Sequence, residues 1–200
     1  MSGDARDAGG GTDVLQFLLS RYSVGPKQLV EPGPGEQALL TAARAALRAP
    51  DHKHLVPFRF AIVAPEQRDA LGRLFEAAAL RAGESPEAAA AERRRARNGP
   101  VLVALVVRID ASHPQVPEHE QWICAGGALA NFLNALHLMG YGAKMLSGRK
   151  AADPGVHAAF CAPGETLVGW MAMGTPTAQA HARVEDDPRA VLGPWTPPRE

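Results

Sequence analysis

Arg21, Tyr22 and Ser23 are consecutive, and Arg48 stands four residues ahead of His52. A guanidinium offers a phosphate two parallel donors, and hydroxyl and imidazole groups add single hydrogen bonds, so these residue types suit a phosphate-bearing ligand. Each cation also has a plain structural use, because Arg in the last turn of a helix covers its final carbonyls and meets the negative end of the dipole. Taken singly, that use suffices. Together the two sets, separated by a loop from Gly25 to Gly35 that holds Pro26, Pro32 and Pro34, supply the local charge and forked donors that anion binding requires. The charge must be local because 21 Lys and Arg offset 21 Asp and Glu. With no net field, neither nucleic acid nor an anionic membrane surface is an expected partner.

Other chemistries lack their residues. The stretch Gly140-Tyr141-Gly142-Ala143-Lys144-Met145 has no third glycine and follows a helical pattern, so it is no dinucleotide fingerprint. Neither a GxxxxGK[ST] phosphate loop nor a GxSxG nucleophile elbow occurs, and no base stands near Ser147 in Leu146-Ser147-Gly148. His52 and His54 would face opposite ways on an extended segment with no third ligand at a suitable spacing, so no metal site is expected. The basic run Glu92, Arg93, Arg94, Arg95 and Arg97 spreads around a helix without an aromatic platform and reads as a solvated surface. Cys124 and Cys161 make no disulfide framework, and no charged segment leading into an apolar one opens the chain; both point to a cytoplasmic location. From Trp122 to Ala143 no Asp, Glu, Lys or Arg occurs, but Asn131, Asn134 and several glycines fit a buried helix better than a membrane span.

The elements that must position these residues follow from periodicity. Residues 1–12 are glycine-rich and nearly devoid of apolar side chains, which predicts a flexible tail. Asp13 is placed to cap a helix carrying Val14, Phe17, Leu18 and Tyr22, and a second helix puts Leu39, Leu40, Ala43, Ala46 and Leu47 on one side. Phe58–Val63 has strand composition, Glu66–Ala82 is helical, and Pro86–Arg97 predicts an exposed helix. The unbroken apolar run Val101–Ile109 predicts a strand covered on both faces at the centre of a sheet. The long core helix, a strand at Ala143–Leu146, a helix at Asp153–Phe160 and a strand at Leu167–Met173 complete one domain over 13–185, with a Pro-rich arm over 186–200. Interleaved helices and strands leave α+β and mixed α/β both open.

From about Val14 to Thr177 the chain resembles the flavin-dependent nitroreductase family, in its small single-domain branch. The resemblance rests on Arg21-Tyr22-Ser23 ahead of Glu31-Pro32-Gly33-Pro34, the block Leu47–Phe60 with Arg48, Ala49, Pro50, Asp51 and His52, Glu120-Gln121, Met139-Gly140-Tyr141-Gly142, Ser147-Gly148 and Gly174-Thr175-Pro176. It implies an α+β fold with a central, mainly antiparallel sheet flanked by helices, in a homodimer with two FMN sites at the subunit interface. It further implies that Arg21 and Ser23 hold the FMN phosphate and ribityl chain, with Tyr22 adding a backbone contact. Arg48 is expected at the flavin pyrimidine edge or phosphate, and His52 at the cofactor of the partner subunit. Met145, Leu146 and Ser147 are expected along the cofactor, and the stretch Ala135, Leu136, His137, Leu138, Met139 and Gly140 at NAD(P)H.

Three positions depart from the family's common residues: Tyr22 stands for Arg, Phe58 for Trp, and Met145-Leu146 for Trp-Arg. The last change removes a cation from the expected phosphate region. Lys144, two residues before Leu146, would share its face on a strand and supply that charge, or else point to solvent. The implied activity is hydride transfer from NAD(P)H by way of flavin N5 to a nitroaromatic, quinone or similar small oxidised acceptor by ping-pong turnover, with no obligatory acid or base side chain. The rival is a flavin-binding storage or sensing protein without reductase turnover.

Overall fold

The computed structural model describes the backbone of residues 8–177 and 187–198. In chain order it forms α1 (Ala8–Leu19), β1 (Leu29–Val30), α2 (Glu36–Ala46), β2 (Phe58–Val63), α3 (Arg68–Arg81), α4 (Pro86–Arg95), β3 (Val101–Arg108), α5 (Glu118–Leu138), β4 (Gly142–Leu146), α6 (Pro154–Phe160) and β5 (Glu165–Pro176). Strands β2 and β5 flank β3, and β5 also pairs with β1 and β4, every pairing antiparallel. This is the α+β arrangement that the resemblance implied.

The continuous apolar run of β3 has the burial it predicts, because both faces of the sheet are covered. On one face Leu102, Ala104 and Val106 pack with Leu71, Phe75 and Ala78 of α3, Val156 of α6 and Trp170 of β5. On the other, Val103, Leu105 and Val107 meet Leu39, Ala42 and Ala46 of α2 and Cys124, Ala128, Phe132 and Leu136 of α5. Each fully buried aliphatic side chain in these layers contributes about 1.5–3 kcal/mol. Gln121 is buried as well, and it ties the loop after β3 to α5: its amide oxygen accepts from Asp110 N–H at 2.8 Å, and its amide nitrogen donates to the Asp110 and Val116 carbonyls at 2.9 and 3.0 Å. No helix among the described residues is long and apolar enough to cross a membrane.

Three local expectations need correction. The first helix starts at Ala8 rather than at an Asp13 cap and ends at Leu19, so Tyr22 lies beyond it. Once a helical turn exists, each further residue adds a hydrogen bond at small cost, so the helix extends back through Gly9–Gly11. Residues 1–7 lie outside the described residues. On α2 the inward stripe is Leu39, Ala42 and Ala46, while Leu40 and Leu47 are 48% and 55% exposed. The spacing of three and four selects Ala42, whose small side chain lets α2 lie close on α5. On α4, Ala89 is fully enclosed, as is Ala96 just after the helix, so the expected exposed helix is packed on one side. In the C-terminal arm, residues 187–198 are exposed, with one 3-10 turn at Pro188–Ala190; residues 178–186 lie outside the described residues.

Candidate functional site

Strand β4 organises the site. Val24 N–H donates to the Ala143 carbonyl at 3.1 Å, which lays the stretch Arg21–Ser23 alongside the start of β4. Gly142 permits this approach, since a Cβ there would lie 2.9 Å from side-chain atoms of both Val24 and Leu29. Lys144 stands opposite Ala172 and Leu146 opposite Trp170, so both occupy the face that meets α3 and α6; Tyr22 and Leu146 pack half-buried against that same layer. Met145, opposite Met171, turns to the α5 side. Where β4 ends, β5 places Gly169 with φ +150°, and a side chain there would overlap the Leu146 carbonyl oxygen.

Leu146 and Ser147 open onto a cavity of about 220 Å3 whose apolar wall includes Phe75, Leu102 and Trp170 and whose polar lining is Arg95, Asn98 and Lys150. Lys150 Nζ lies 4.3 Å from the Phe75 ring centroid and 2.7 Å from Glu92 Oε2, and Arg95 pairs with the same carboxylate. Phe75 meets Trp170 edge-on at 4.9 Å between centroids. Trp170 Nε1 is a buried donor with no hydrogen-bond partner among the described residues. An orphaned indole N–H costs about 1–3 kcal/mol unless a ligand accepts from it. The cavity continues into a cleft of about 500 Å3 that shares Phe75, Arg95, Ser147 and Lys150 and adds Arg81, Arg149 and Asp153. There Arg81 grips Asp153 through two bonds of 2.9 and 2.6 Å and holds that carboxyl below its ordinary range. An aromatic and apolar wall rimmed by donors suits an apolar ring with carbonyl oxygens at one edge, which is the chemistry of a flavin.

Arg48 and His52 lie elsewhere in the chain. They follow α2, whose neighbour Ala49 is buried in the layer shared with α5, on the opposite side of the sheet from Tyr22 and Leu146. Arg48 lines a separate cavity of about 240 Å3 with Asp51, His54, Val56, Phe58 and Cys124 among its walls. His52 Nδ1 is 2.8 Å from Glu120 Oε2 at the start of α5. Asp51 accepts from Leu55 and Val56 N–H at 3.1 and 2.8 Å, and across this turn Lys53, His54 and Val56 all have positive φ, of 64°, 54° and 47°. Such strain persists only where surrounding contacts enforce it.

The stretch 135–140 closes α5 and turns into β4. His137 Nε2 lies 3.0 Å from Ser20 Oγ and 2.9 Å from the Phe17 carbonyl, with its ring 5.2 Å from that of Phe17. The end of α5 thus meets the end of α1, one residue before Arg21. Within the stretch Leu136 is wholly buried, whereas Leu138 and Gly140 are exposed. The structure therefore lays 21–23 alongside β4 and 144–147, sets 135–140 at the end of α5 where the chain turns into β4, and leaves Arg48 and His52 near α2 and the start of α5, on the sheet face away from Tyr22 and Leu146.

The profile of the Nitroreductase family matches residues 18–175. The chain belongs to this family. It is 31% identical over 173 residues, 86% of this chain and 93% of the relative, to a protein of Escherichia coli strain K12 named "Putative NAD(P)H nitroreductase YdjA". Among solved structures it resembles a nitroreductase-like family protein from Bacillus cereus, with TM-score 0.76 and 16% identity over 98% of both chains. A point mutant of the FMN- and NADPH-dependent nitroreductase NfnB from Sphigopyxis sp. strain HMH superposes with TM-score 0.68 and 16% identity over 91% of this chain and 98% of the other. In this nitroreductase-family chain the residues that sequence reasoning passed over are Asn98, Lys150, Gly169 and Trp170, and Arg95, read there as part of a solvated basic run, lines the cavity. Only the glycine inside an otherwise apolar strand pattern carried a visible signal, that of a bulge or a close backbone approach.

Proposed function

We propose that the chain is an FMN-dependent NAD(P)H oxidoreductase that reduces nitroaromatic, quinone or similar acceptors. The observation that carries this reading is the β4 cavity, with its apolar wall, donor rim and a Trp170 N–H that has no partner among the described residues, in a chain of this family. FMN bound there would supply the hydride-transfer chemistry between NAD(P)H and the acceptor. Arg21 and Ser23 would hold the phosphate end and Met145, Leu146 and Ser147 would run along the ring, with Lys144 as a further cation on the Leu146 face. Lys150 and Arg95 would place positive charge beside the ring edge that gains electron density on reduction, and so stabilise it. Ala135–Gly140 would flank the dinucleotide.

Arg48 and His52 have a role in this reading only through a second subunit. An apolar face on α1 (Val14, Phe17 and Leu18, 57%, 48% and 38% exposed) and Ile123 on α5, 61% exposed, favour a homodimer that covers them. Its interface would bring Arg48 and His52 to the partner's flavin.

Purified protein should be yellow and should bleach under anaerobic conditions with NADPH or NADH, then recover its colour on adding a nitroaromatic or quinone. A yellow protein inert to both nicotinamides would replace this reading by flavin storage or sensing, and a colourless protein that takes up no FMN would end both. Sedimentation should give about 42 kDa, twice the 21.1 kDa chain; a 21.1 kDa species that retains FMN would contradict the shared site.

A further inference from the structure

Arg68 opens α3 with only 5% of its surface exposed. Its guanidinium donates to three main-chain carbonyls, from Nε to Val63 at 3.3 Å, from Nη1 to Ala96 at 2.8 Å and from Nη2 to Pro100 at 3.2 Å. No carboxylate pairs with it among the described residues. A buried cation that meets dipoles alone keeps most of its desolvation cost, and two of its five N–H groups remain for another acceptor. Burial, and then the nearby Arg97 guanidinium, both push its pKa down, so a second positive charge stands close enough to repel the first.

These two arginines border a cavity of about 600 Å3 that Lys27 and Asn98 also line. Lys27 has no ion pair among the described residues. Arg97 Nη2 touches Asp69 Oδ1 at 2.6 Å, but the two side chains are 65% and 60% exposed, so water screens that pair. The one acidic residue in the lining is Glu31, whose Oε2 accepts the Gly33 N–H at 3.0 Å. Three cations thus surround the space against one carboxylate. Pro26 and Asn98 separate it from the β4 cavity, of which they also form part of the wall.

We propose that this cavity binds a phosphate group, with Arg68 as its fixed floor and Lys27 and Arg97 as mobile arms. A phosphate would neutralise the buried guanidinium, relieve its repulsion with Arg97 and take up the spare donors. Two sources share this chemistry, free inorganic phosphate and the 2′-phosphate of NADP. The site stands whether or not the protein carries flavin.

The test is the thermal midpoint of the purified protein as chloride is replaced by phosphate at fixed ionic strength. The midpoint should rise saturably. The double variant Lys27→Ala/Arg97→Ala should weaken the apparent affinity for phosphate about tenfold or more, as two charge-assisted contacts are lost. Arg68→Met strips partners from three carbonyls and is a risk to folding, so the double variant carries the decision. A midpoint indifferent to phosphate, or an equal response in wild type and double variant, overturns the proposal. Once phosphate dependence is seen, NADP+ against NAD+ decides the source. A stabilisation by NADP+ that exceeds that by NAD+ and loses its excess in the double variant assigns the 2′-phosphate; equal stabilisation assigns free phosphate.

Discussion

Gly169 lies so close to Leu146 that any side chain at its position would overlap the Leu146 carbonyl oxygen, and a Cβ would come within 3.1 Å of the Ser147 Cα. Its φ of +150° is also one that L-residues rarely adopt. The end of β4 is therefore set by a glycine on the neighbouring strand. Gly169→Ala should cost about 1–3 kcal/mol of stability, from backbone strain and displacement together. It should also weaken FMN binding by moving Ser147. A thermal melt and a flavin fluorescence titration check both effects, with Gly164→Ala as the control, because that glycine shares a positive φ but its Cβ would meet nothing within 4 Å.

The legibility of this fold follows from where its information lies. The strand Val101–Arg108 is readable because burial on both faces leaves an unbroken apolar run in the chain itself, Phe58–Val63 through its aromatic and β-branched composition although Arg59 and Ile62 face solvent, and α5 through a long stretch without Asp, Glu, Lys or Arg. The first helix differs from its periodicity at both ends because Gly9–Gly11 speak against a helix locally while Tyr22 continues an apolar spacing that the chain abandons after Leu19. At the site, Arg21–Ser23 and 144–147 are visible through a motif. Lys150, Arg95 and Trp170 are not, since a cation on a helix or loop and a Trp in an apolar strand have ordinary explanations until the sheet register brings them to one cavity.

Lys144 shares the α3 and α6 face with Leu146, the position at which the family's common Arg is missing. If it supplies that charge, Lys144→Ala should weaken FMN binding about three- to tenfold at low salt, and the loss should shrink as salt screens the pair. Titrations of the apoprotein with FMN at several chloride concentrations measure this. Equal affinities across the series would leave Lys144 a solvent-facing strand residue.

Arg59 on β2 holds Glu165 through Nε at 2.8 Å and Nη2 at 2.5 Å, and the Glu165 carboxylate also accepts from Ala162 N–H at 2.8 Å. The Arg59 hydrogen bonds chiefly, then that backbone bond, lower the Glu165 pKa from 4.5 to about 2. A carboxyl with a depressed folded-state pKa stabilises the fold above its unfolded pKa, and the contribution fades as pH falls from about 4.5 towards 2. Because Arg59 is 44% exposed, the pair is worth only about 1 kcal/mol after screening. Glu165→Gln should lose that stability at pH 7 and flatten the dependence below pH 4.5, as urea melts at a series of pH values would record.

Cys124 is 1% exposed, and burial first, then the Asp51 carboxylate, pushes its thiol up to about 11. At pH 8 roughly one molecule in a thousand would carry the thiolate, the reactive form. Cys161 is half-buried, with a pKa raised by burial and Glu165. Iodoacetamide at pH 8 should therefore label Cys161 well before Cys124 in the folded protein, and both alike in urea. Peptide mass mapping over time distinguishes the two; early labelling of Cys124 would mean that the layer between α2 and α5 opens on its own.

Trp170 separates the needs of the fold from those of a ligand. Its buried N–H has no partner among the described residues, so Trp170→Phe removes that penalty of about 1–3 kcal/mol but leaves a gap beside Phe75 and Phe160, whose rings lie 4.9 and 5.7 Å from the indole. The two effects oppose each other, and the apoprotein melt should shift little. If a flavin oxygen accepts from the indole, the same substitution should weaken FMN binding about tenfold, the value of one hydrogen bond formed in a dry site. A variant with unchanged apoprotein stability and weakened flavin affinity would place Trp170 in the cofactor pocket. One that loses stability while binding FMN as wild type does would make the indole a packing group alone.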